Sequence, residues 1–242
     1  MSNAPVVEIF SSAQGEGKFV GCRQVFVRLA GCNLNCNFCD TDFARTDFCR
    51  VETAAGSMAF RHEKNPLDAS RVAALIKNFC DEVPTHSVSF TGGEPLLHAN
   101  FIADVAAQTD AKIFLETNGT LVDEFKSIAA AVDFVSMDIK LPHVVGQNLF
   151  AVHEKFLRAA VDKDLCVKIV VTGSTSDEEF LSAVKLVANV DAKIFVVLQP
   201  VTPVNEVPAV DAKKILRWQA VALRHLRDVR ILPQMHKLID VL

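Results

Sequence analysis

The chain has 242 residues, of which 50% are hydrophobic and 22% charged. That is ample material for a core, and it excludes a disordered chain. Twenty-five Lys and Arg stand against 29 Asp and Glu for a formal net charge of -4, which argues against a nucleic-acid binder held by bulk charge. The length allows one large domain or two small ones, at about 100–200 residues per domain. There are 17 Phe, one Trp and no Tyr, so no tyrosine can act as a catalytic acid. Residues 1–10 show no basic stretch leading into an apolar one, and no apolar run approaches the about 18–20 residues that span a bilayer. A cytoplasmic location without membrane attachment is expected.

In chain order, the β-branched run at residues 25–29 reads as the first strand. Residues 68–80 place Val72, Leu75, Ile76 and Phe79 at helical spacing, with Asp68 or Ser70 as cap. Strands are then predicted at 87–90, 112–116, 134–138, 166–171, 194–199 and 229–232. Helices are predicted between them at 96–108, 121–131, 149–161, 176–189 and 210–226. Short apolar strands, each followed by a crossover helix, predict a parallel sheet covered by helices. Six βα units are too few for a closed eight-fold barrel, so an open, partial TIM-like barrel is expected. No shift in composition marks a second domain, so the whole of 1–242 reads as one. The stretch 42–66 has no period and reads as an irregular insertion. In such folds functional residues collect at the C-terminal ends of the strands.

The cysteines point to chemistry. Cys22, Cys32, Cys36, Cys39 and Cys49 crowd into 28 residues, while Cys80 and Cys166 stand apart and read as small hydrophobes. Cys32, Cys36 and Cys39 bring three thiolates onto one Asn-rich loop, and soft thiolates select iron–sulfur clusters, zinc or copper(I). Structural zinc takes four ligands, usually as two Cys pairs, and no second pair is present. An ordinary [4Fe–4S] site also takes four cysteines, so three leave one iron open. The alternative is that Cys22 or Cys49 completes a closed structural site, which would make the chain a metal-stabilised binding module. Thr91-Gly92-Gly93-Glu94-Pro95 follows a strand. Its two glycines permit close backbone approach to a ligand, and Pro95 suits a first helical turn.

The Cys-x-x-x-Cys-x-aromatic-Cys pattern, with Phe38 as the aromatic, resembles the radical S-adenosylmethionine (SAM) superfamily. That resemblance implies a [4Fe–4S] cluster on Cys32, Cys36 and Cys39, whose open iron chelates SAM and whose reduction releases a 5′-deoxyadenosyl radical. Four further groups of motifs are similar to the 7-carboxy-7-deazaguanine synthase family: residues 8–17 (EIFSSAQGEG), 26–34 (FVRLAGCNL) with Cys39-Asp40-Thr41, 115–120 (LETNGT), and 198–200 with 232–237. This second resemblance implies a ring contraction of 6-carboxy-5,6,7,8-tetrahydropterin to 7-carboxy-7-deazaguanine with loss of ammonia, on the route to queuosine, with SAM regenerated.

The resemblance also implies site residues. Arg28, in an apolar strand, would hold the substrate carboxylate, since its planar fork suits bidentate contact. Ala13, Gln14, Gly15, Glu16, Thr91 and Pro233 would also meet the pterin. Phe38, Gly93, Glu94, Glu116, Ser136, Asp138, Lys140 and Gln199 would face SAM. Thr41 would ligate Mg²⁺, with substrate oxygens and water completing its shell. Many members carry Ser-Pro-Lys where this chain reads Ser136-Met137-Asp138-Ile139-Lys140, a departure at the fourth predicted strand. The resemblance further implies a homodimer and a flavodoxin- or ferredoxin-type electron donor. The rival within the superfamily is a glycyl-radical enzyme activase, whose protein substrate needs neither Arg28 nor the Gln14–Glu16 segment.

Overall fold

The computed structural model describes residues 2–39, 41–203 and 207–242; Asp40 of the cysteine motif lies outside them. Ten strands form one sheet: β1 (Val6–Ala13), β2 (Arg23–Leu29), β3 (Phe48–Glu52), β4 (Phe60–Lys64), β5 (Ser87–Gly92), β6 (Ile113–Thr117), β7 (Phe134–Ile139), β8 (Asp164–Val171), β9 (Phe195–Pro200) and β10 (Val229–Ile231). Their order is β10-β9-β8-β7-β6-β5-β2-β1-β3-β4. From β2 through β5 to β10 every neighbouring pair is parallel. The order does not close on itself, as expected of a partial barrel.

The helices lie between these strands. α1 (Ala69–Glu82) starts where the Asp68 carboxylate accepts from the Arg71 amide, and it buries Val72, Leu75, Ile76 and Phe79. α2 (Ala99–Ala106), α3 (Val122–Ile128), the short α4 (Pro142–Val145) and α5 (Phe150–Ala160) follow. α6 (Asp177–Asp191) opens on a reciprocal box, in which Ser176 accepts from the Glu179 amide and Glu179 accepts from the Ser176 amide. α7 (Ala212–Ala222) is capped by Asp211, and α8 (Met235–Leu238) follows β10. Each such cap is worth about 1 kcal/mol. Trp218 of α7 stacks on Phe180 of α6 at 4.9 Å, and its indole N–H donates to Asp177 at 2.7 Å. No helix among the described residues is long and apolar enough to cross a membrane.

All seven expected strands form, but two expectations are corrected. The strand at 25–29 is not the first. β1 precedes it and lies antiparallel to it, from Val6 opposite Leu29 to Ala13 opposite Arg23. Glu8, Ser11 and Ser12 interrupt the apolar pattern of β1, so its periodicity is weak. They are nevertheless buried, and partners support them: Arg28 donates to Glu8, and Glu52 accepts from the Ser11 amide. The stretch 42–66 is likewise not irregular throughout. It contains the antiparallel hairpin β3–β4, which joins the sheet when β3 pairs parallel with β1 at Glu8–Arg50 and Ile9–Val51. The β4 side chains are exposed or half-buried, while β3 buries Cys49 and Val51 at alternating positions, so this short alternation and the pairing with β1 together set the register.

The opposite end of the barrel is stopped by the single turn Gly17–Phe19. Phe19 packs 4.8 Å from the His86 ring and 5.0 Å from Phe134. The turn follows Gln14 and Glu16 directly, so this plug anchors the segment that carries them.

Candidate active site

At the C-terminal ends of the parallel strands lies a cavity of about 730 Å³. Its rim holds the cysteine loop, with Cys32, Cys36, Phe38, Cys39 and Thr41 all lining it. The loop is seated by backbone and amide bonds. Asn118 donates to Asn33 at 2.8 Å, Asn33 donates to the Thr120 hydroxyl at 2.8 Å, and the Asn37 amide donates to the Val144 carbonyl at 3.1 Å.

The Thr91–Pro95 segment lies against this loop. The Glu94 amide donates to the Gly31 carbonyl at 2.8 Å. A Cβ on Gly93 would lie 2.0 Å from that carbonyl oxygen and 2.9 Å from Cys32 Cβ, and one on Gly92, whose φ is +130, would lie 2.1 Å from the Leu29 carbonyl oxygen. Only glycine fits either position. Glu94 is buried, behind the cavity lining. It accepts from the Asn118 amide (2.7 Å), the Thr117 hydroxyl (2.9 Å) and the Leu96 amide (3.0 Å). Burial pushes its carboxyl up to about 7 in spite of those donors.

A second set of groups, from Gln14 and Glu16 to Asp138 and Lys140, also lines the cavity. The Gln14 amide nitrogen donates to Gln24 (2.8 Å) and Glu116 (3.2 Å), and its oxygen accepts from the Glu16 amide (3.0 Å). Glu116, expected to face SAM, thus bonds within the segment expected to meet the pterin, and it also accepts from Ser89 at 2.9 Å. Glu16 accepts from Gln234 at 2.8 Å and pairs closely with Lys168. Lys168 also lies 3.2 Å from Asp138, its register partner on β7. Asp138 accepts from Lys140 at 2.8 Å, and Lys140 sits 5.6 Å over the Phe38 ring.

The electrostatics follow from this pairing. Burial alone would raise Asp138, but Lys140 and Lys168 outweigh it and hold the carboxyl down to about 2. Burial also opposes ionisation of Glu16, yet Lys168 keeps its carboxyl below the ordinary value. For Glu116 burial prevails and the carboxyl is raised.

Ala13, Gly15, Arg28, Thr91, Ser136 and Gln199 also line the cavity. Thr91 stands beside Arg28 in register. Pro233 does not line it; this residue is exposed, while its neighbours Gln234 and His236 do reach the cavity. Lys168 also lines the cavity, a position that sequence reasoning missed. A lysine at the centre of an apolar strand, in Val167-Lys168-Ile169, was the available signal.

The donor chemistry of the cysteine loop fits an iron–sulfur cluster: three soft thiols from one loop line the cavity, and Gly93 keeps the space beside Cys32 open. Gln199 Oε1 is buried without a partner, a polar atom suited to a ligand that donates.

An open barrel with a three-cysteine loop over the first parallel strand defines a radical SAM protein. The family model described as the Radical SAM superfamily matches residues 27–203. Among curated relatives, the chain is 38% identical over 240 residues to the 7-carboxy-7-deazaguanine synthase of Geobacter sulfurreducens, covering 97% of this chain and 96% of that protein. It is 36% identical over 245 residues to the synthase of the same name from Archaeoglobus fulgidus, covering 98% and 99%. The chain therefore belongs to the 7-carboxy-7-deazaguanine synthase family of the radical SAM superfamily. Its fold is similar to that in the crystal structure of QueE from Escherichia coli, with TM-score 0.59 and 21% identity over 97% of this chain and 95% of that one. A radical SAM methyltransferase from Sphaerobacter thermophilus gives TM-score 0.61 at 14% identity, covering 88% and 66%.

Proposed function

We propose that the chain catalyses the ring contraction of 6-carboxy-5,6,7,8-tetrahydropterin to 7-carboxy-7-deazaguanine, with loss of ammonia. One observation carries this reading. The near-full-length identity to synthases coincides with a single cavity lined by both the cysteine loop and the Gln14, Glu16 and Arg28 side chains. Neither a glycyl-radical activase nor a structural metal module is favoured by that combination.

Cys32, Cys36 and Cys39 would hold the [4Fe–4S] cluster. When bound, the cluster and SAM supply a hydrogen-abstracting 5′-deoxyadenosyl radical. The chain's own residues bind and orient. Arg28 takes the substrate carboxylate, with Thr91 beside it on the next strand. Glu16 presents a carboxylate to the N–H edge of the pterin, while Ala13, Gln14 and Gly15 shape the segment around it. Gly93 offers backbone, and Ser136, Asp138 and Lys140 offer charge and hydrogen bonds, on the SAM side, with Phe38 and Gln199 completing that wall, while Glu94 braces this backbone from behind through Leu96, Thr117 and Asn118. A Mg²⁺ at Thr41 would share its shell with substrate oxygens. A homodimer in the cytoplasm, reduced by a flavodoxin or ferredoxin, completes the proposal.

The test is anaerobic reconstitution with iron and sulfide, then incubation with reductant, SAM and the carboxytetrahydropterin, with and without Mg²⁺. The expected result is the deazaguanine product, recognised by its ultraviolet spectrum and mass, with SAM not consumed and turnover raised by Mg²⁺. A reconstituted cluster that cleaves SAM without yielding this product would remove the assigned reaction.

A further inference from the structure

We propose that Lys168 is a positioning residue, whose ammonium fixes Glu16 for the pterin and ties it to Asp138 on the wall that faces SAM. The proposal rests on the ring-contraction reading above.

Lys168 sits in the middle of β8 and is 4% exposed, in a strand whose other side chains after the exposed Asp164 are all apolar. Burying an ammonium is costly unless it is well paired, and a hydrophobic side chain would serve the fold as well. Its partners are therefore informative. The ammonium pairs closely with Glu16 Oε2, lies 3.2 Å from Asp138 Oδ1 and lies 4.0 Å from Glu116 Oε2. It also lines the cavity. Three carboxylates from three separate parts of the chain thus converge on one cation at the edge of the ligand space.

The neighbouring bonds single out Glu16 as the group that this pairing serves. Gln14 is consumed internally, its nitrogen by Gln24 and Glu116 and its oxygen by the Glu16 amide. Glu16 has one fixed donor on each oxygen, Lys168 on Oε2 and Gln234 on Oε1. An ionised carboxylate has about four acceptor positions, so two fixed donors orient it and still leave acceptors for the adjacent N–H groups of an aminopyrimidinone. Asp138 on the same ammonium carries Lys140 on its other oxygen, and Lys140 reaches the cysteine loop at Phe38. A continuous chain of charge, Glu16–Lys168–Asp138–Lys140, spans the cavity from the pterin side to the SAM side. The charged and titratable groups facing Glu16 are Lys168, Asp138 and Glu116, with Lys140 behind Asp138 and with His236 packed against Gly15.

The experiment compares Lys168→Met, Glu16→Gln and the double variant, each reconstituted and assayed for both substrates from pH 6 to 9. Lys168→Met should raise KM for the pterin by roughly tenfold or more, the scale of a lost charged hydrogen bond, while KM for SAM changes less. Without the ammonium Glu16 binds its proton more tightly, so this KM defect should shrink as pH rises. Glu16→Gln should raise KM without that recovery, and Lys168→Met should add little to it. The double variant, relieved of one buried carboxylate, should also melt above Lys168→Met alone. An unchanged KM and pH profile in Lys168→Met, or effects that add in the double variant, would overturn the proposal.

A measurement without turnover separates it from the assigned reaction. In protein labelled with carbon-13 glutamate, the signal lost in Glu16→Gln reports the ionisation of Glu16. Its midpoint should move up in Lys168→Met, and a midpoint that stays put overturns the pairing. Absence of product from the unsubstituted protein would instead sink the reaction.

Discussion

Arg28 donates from Nε to Glu8 at 2.8 Å, and the second oxygen of Glu8 meets Arg50 of β3 at 3.3 Å. One buried carboxylate therefore holds two guanidiniums at the cavity, and it engages Arg28 through the inner nitrogen of its fork. The two outer nitrogens are the ones a ligand carboxylate can meet bidentately. Arg28→Lys keeps the charge but loses the fork, so KM for the pterin should rise by about tenfold or more, with SAM affinity unchanged. Steady-state kinetics varying each substrate in turn would show this, and an unaltered pterin KM would release Arg28 from its role. Glu8→Gln should give a smaller increase of the same kind, because it loosens Arg28 without removing it.

The cysteines divide into two sets. Substituting any one of Cys32, Cys36 or Cys39 by Ala should abolish the cluster, read as iron content and visible absorbance after anaerobic reconstitution. Cys49 is buried, and burial pushes its thiol up to about 12, which suits an inert side chain. Cys22→Ala and Cys49→Ala should keep the full iron content. Loss of iron from either would return the closed four-cysteine site to contention.

Gly93 is a steric gate for the cysteine loop. A methyl there meets Gly31 backbone at 2.0 Å and Cys32 Cβ at 2.9 Å, and backbone cannot step aside as a flexible side chain does. Gly93→Ala should displace the loop and lower iron incorporation and stability together. Gly146→Ala serves as the comparison: its φ of +72 is left-handed, unlike that of Gly93, but nothing lies within 4 Å of the added carbon. That variant should cost only about 1–2 kcal/mol of strain and load iron normally. Equal iron loading in both variants would contradict the steric account.

His153 gives the fold a defined acid weakness. It is fully buried on α5, and its Nε2 bonds to the Asn118 carbonyl at 3.1 Å. Burial lowers its pKa from 6.5 to about 4. Above pH 6.5 the ring is neutral whether the chain is folded or unfolded, so stability is unaffected there. As pH falls from 6.5 to 4, the unfolded chain takes up a proton that the folded one refuses, and stability falls by up to about 3 kcal/mol. Denaturant titrations of the wild type and His153→Gln at pH 7 and pH 4.5 should therefore diverge, the variant losing less on acidification. Parallel losses would assign the acid sensitivity to other groups.

Much of the barrel was legible because its strands are buried on both faces, so 134–138, 166–171 and 194–199 read as apolar runs between amphipathic helices. The cysteine loop and the Thr91–Pro95 turn were legible because thiols and paired glycines have few uses in a core. The remainder depends on partners distant in sequence. β1 carries Glu8, Ser11 and Ser12 inward, and partners on other segments (Arg28 and Arg50 for Glu8, Arg23 and Glu52 for Ser11) make that tolerable. The hairpin β3–β4 has only the short alternation of Cys49 and Val51, too brief to read alone, and it is joined to the sheet by pairing with β1. Lys168 is not legible as a site residue among its apolar neighbours, because its three carboxylates lie on other segments. Pro233 belongs to a motif whose neighbours, rather than itself, reach the cavity.

The bond from Gln234 to Glu16 joins residues 218 positions apart, whereas the three cysteines lie within eight. Iron binding and the orientation of Glu16 therefore draw on separate parts of the sequence.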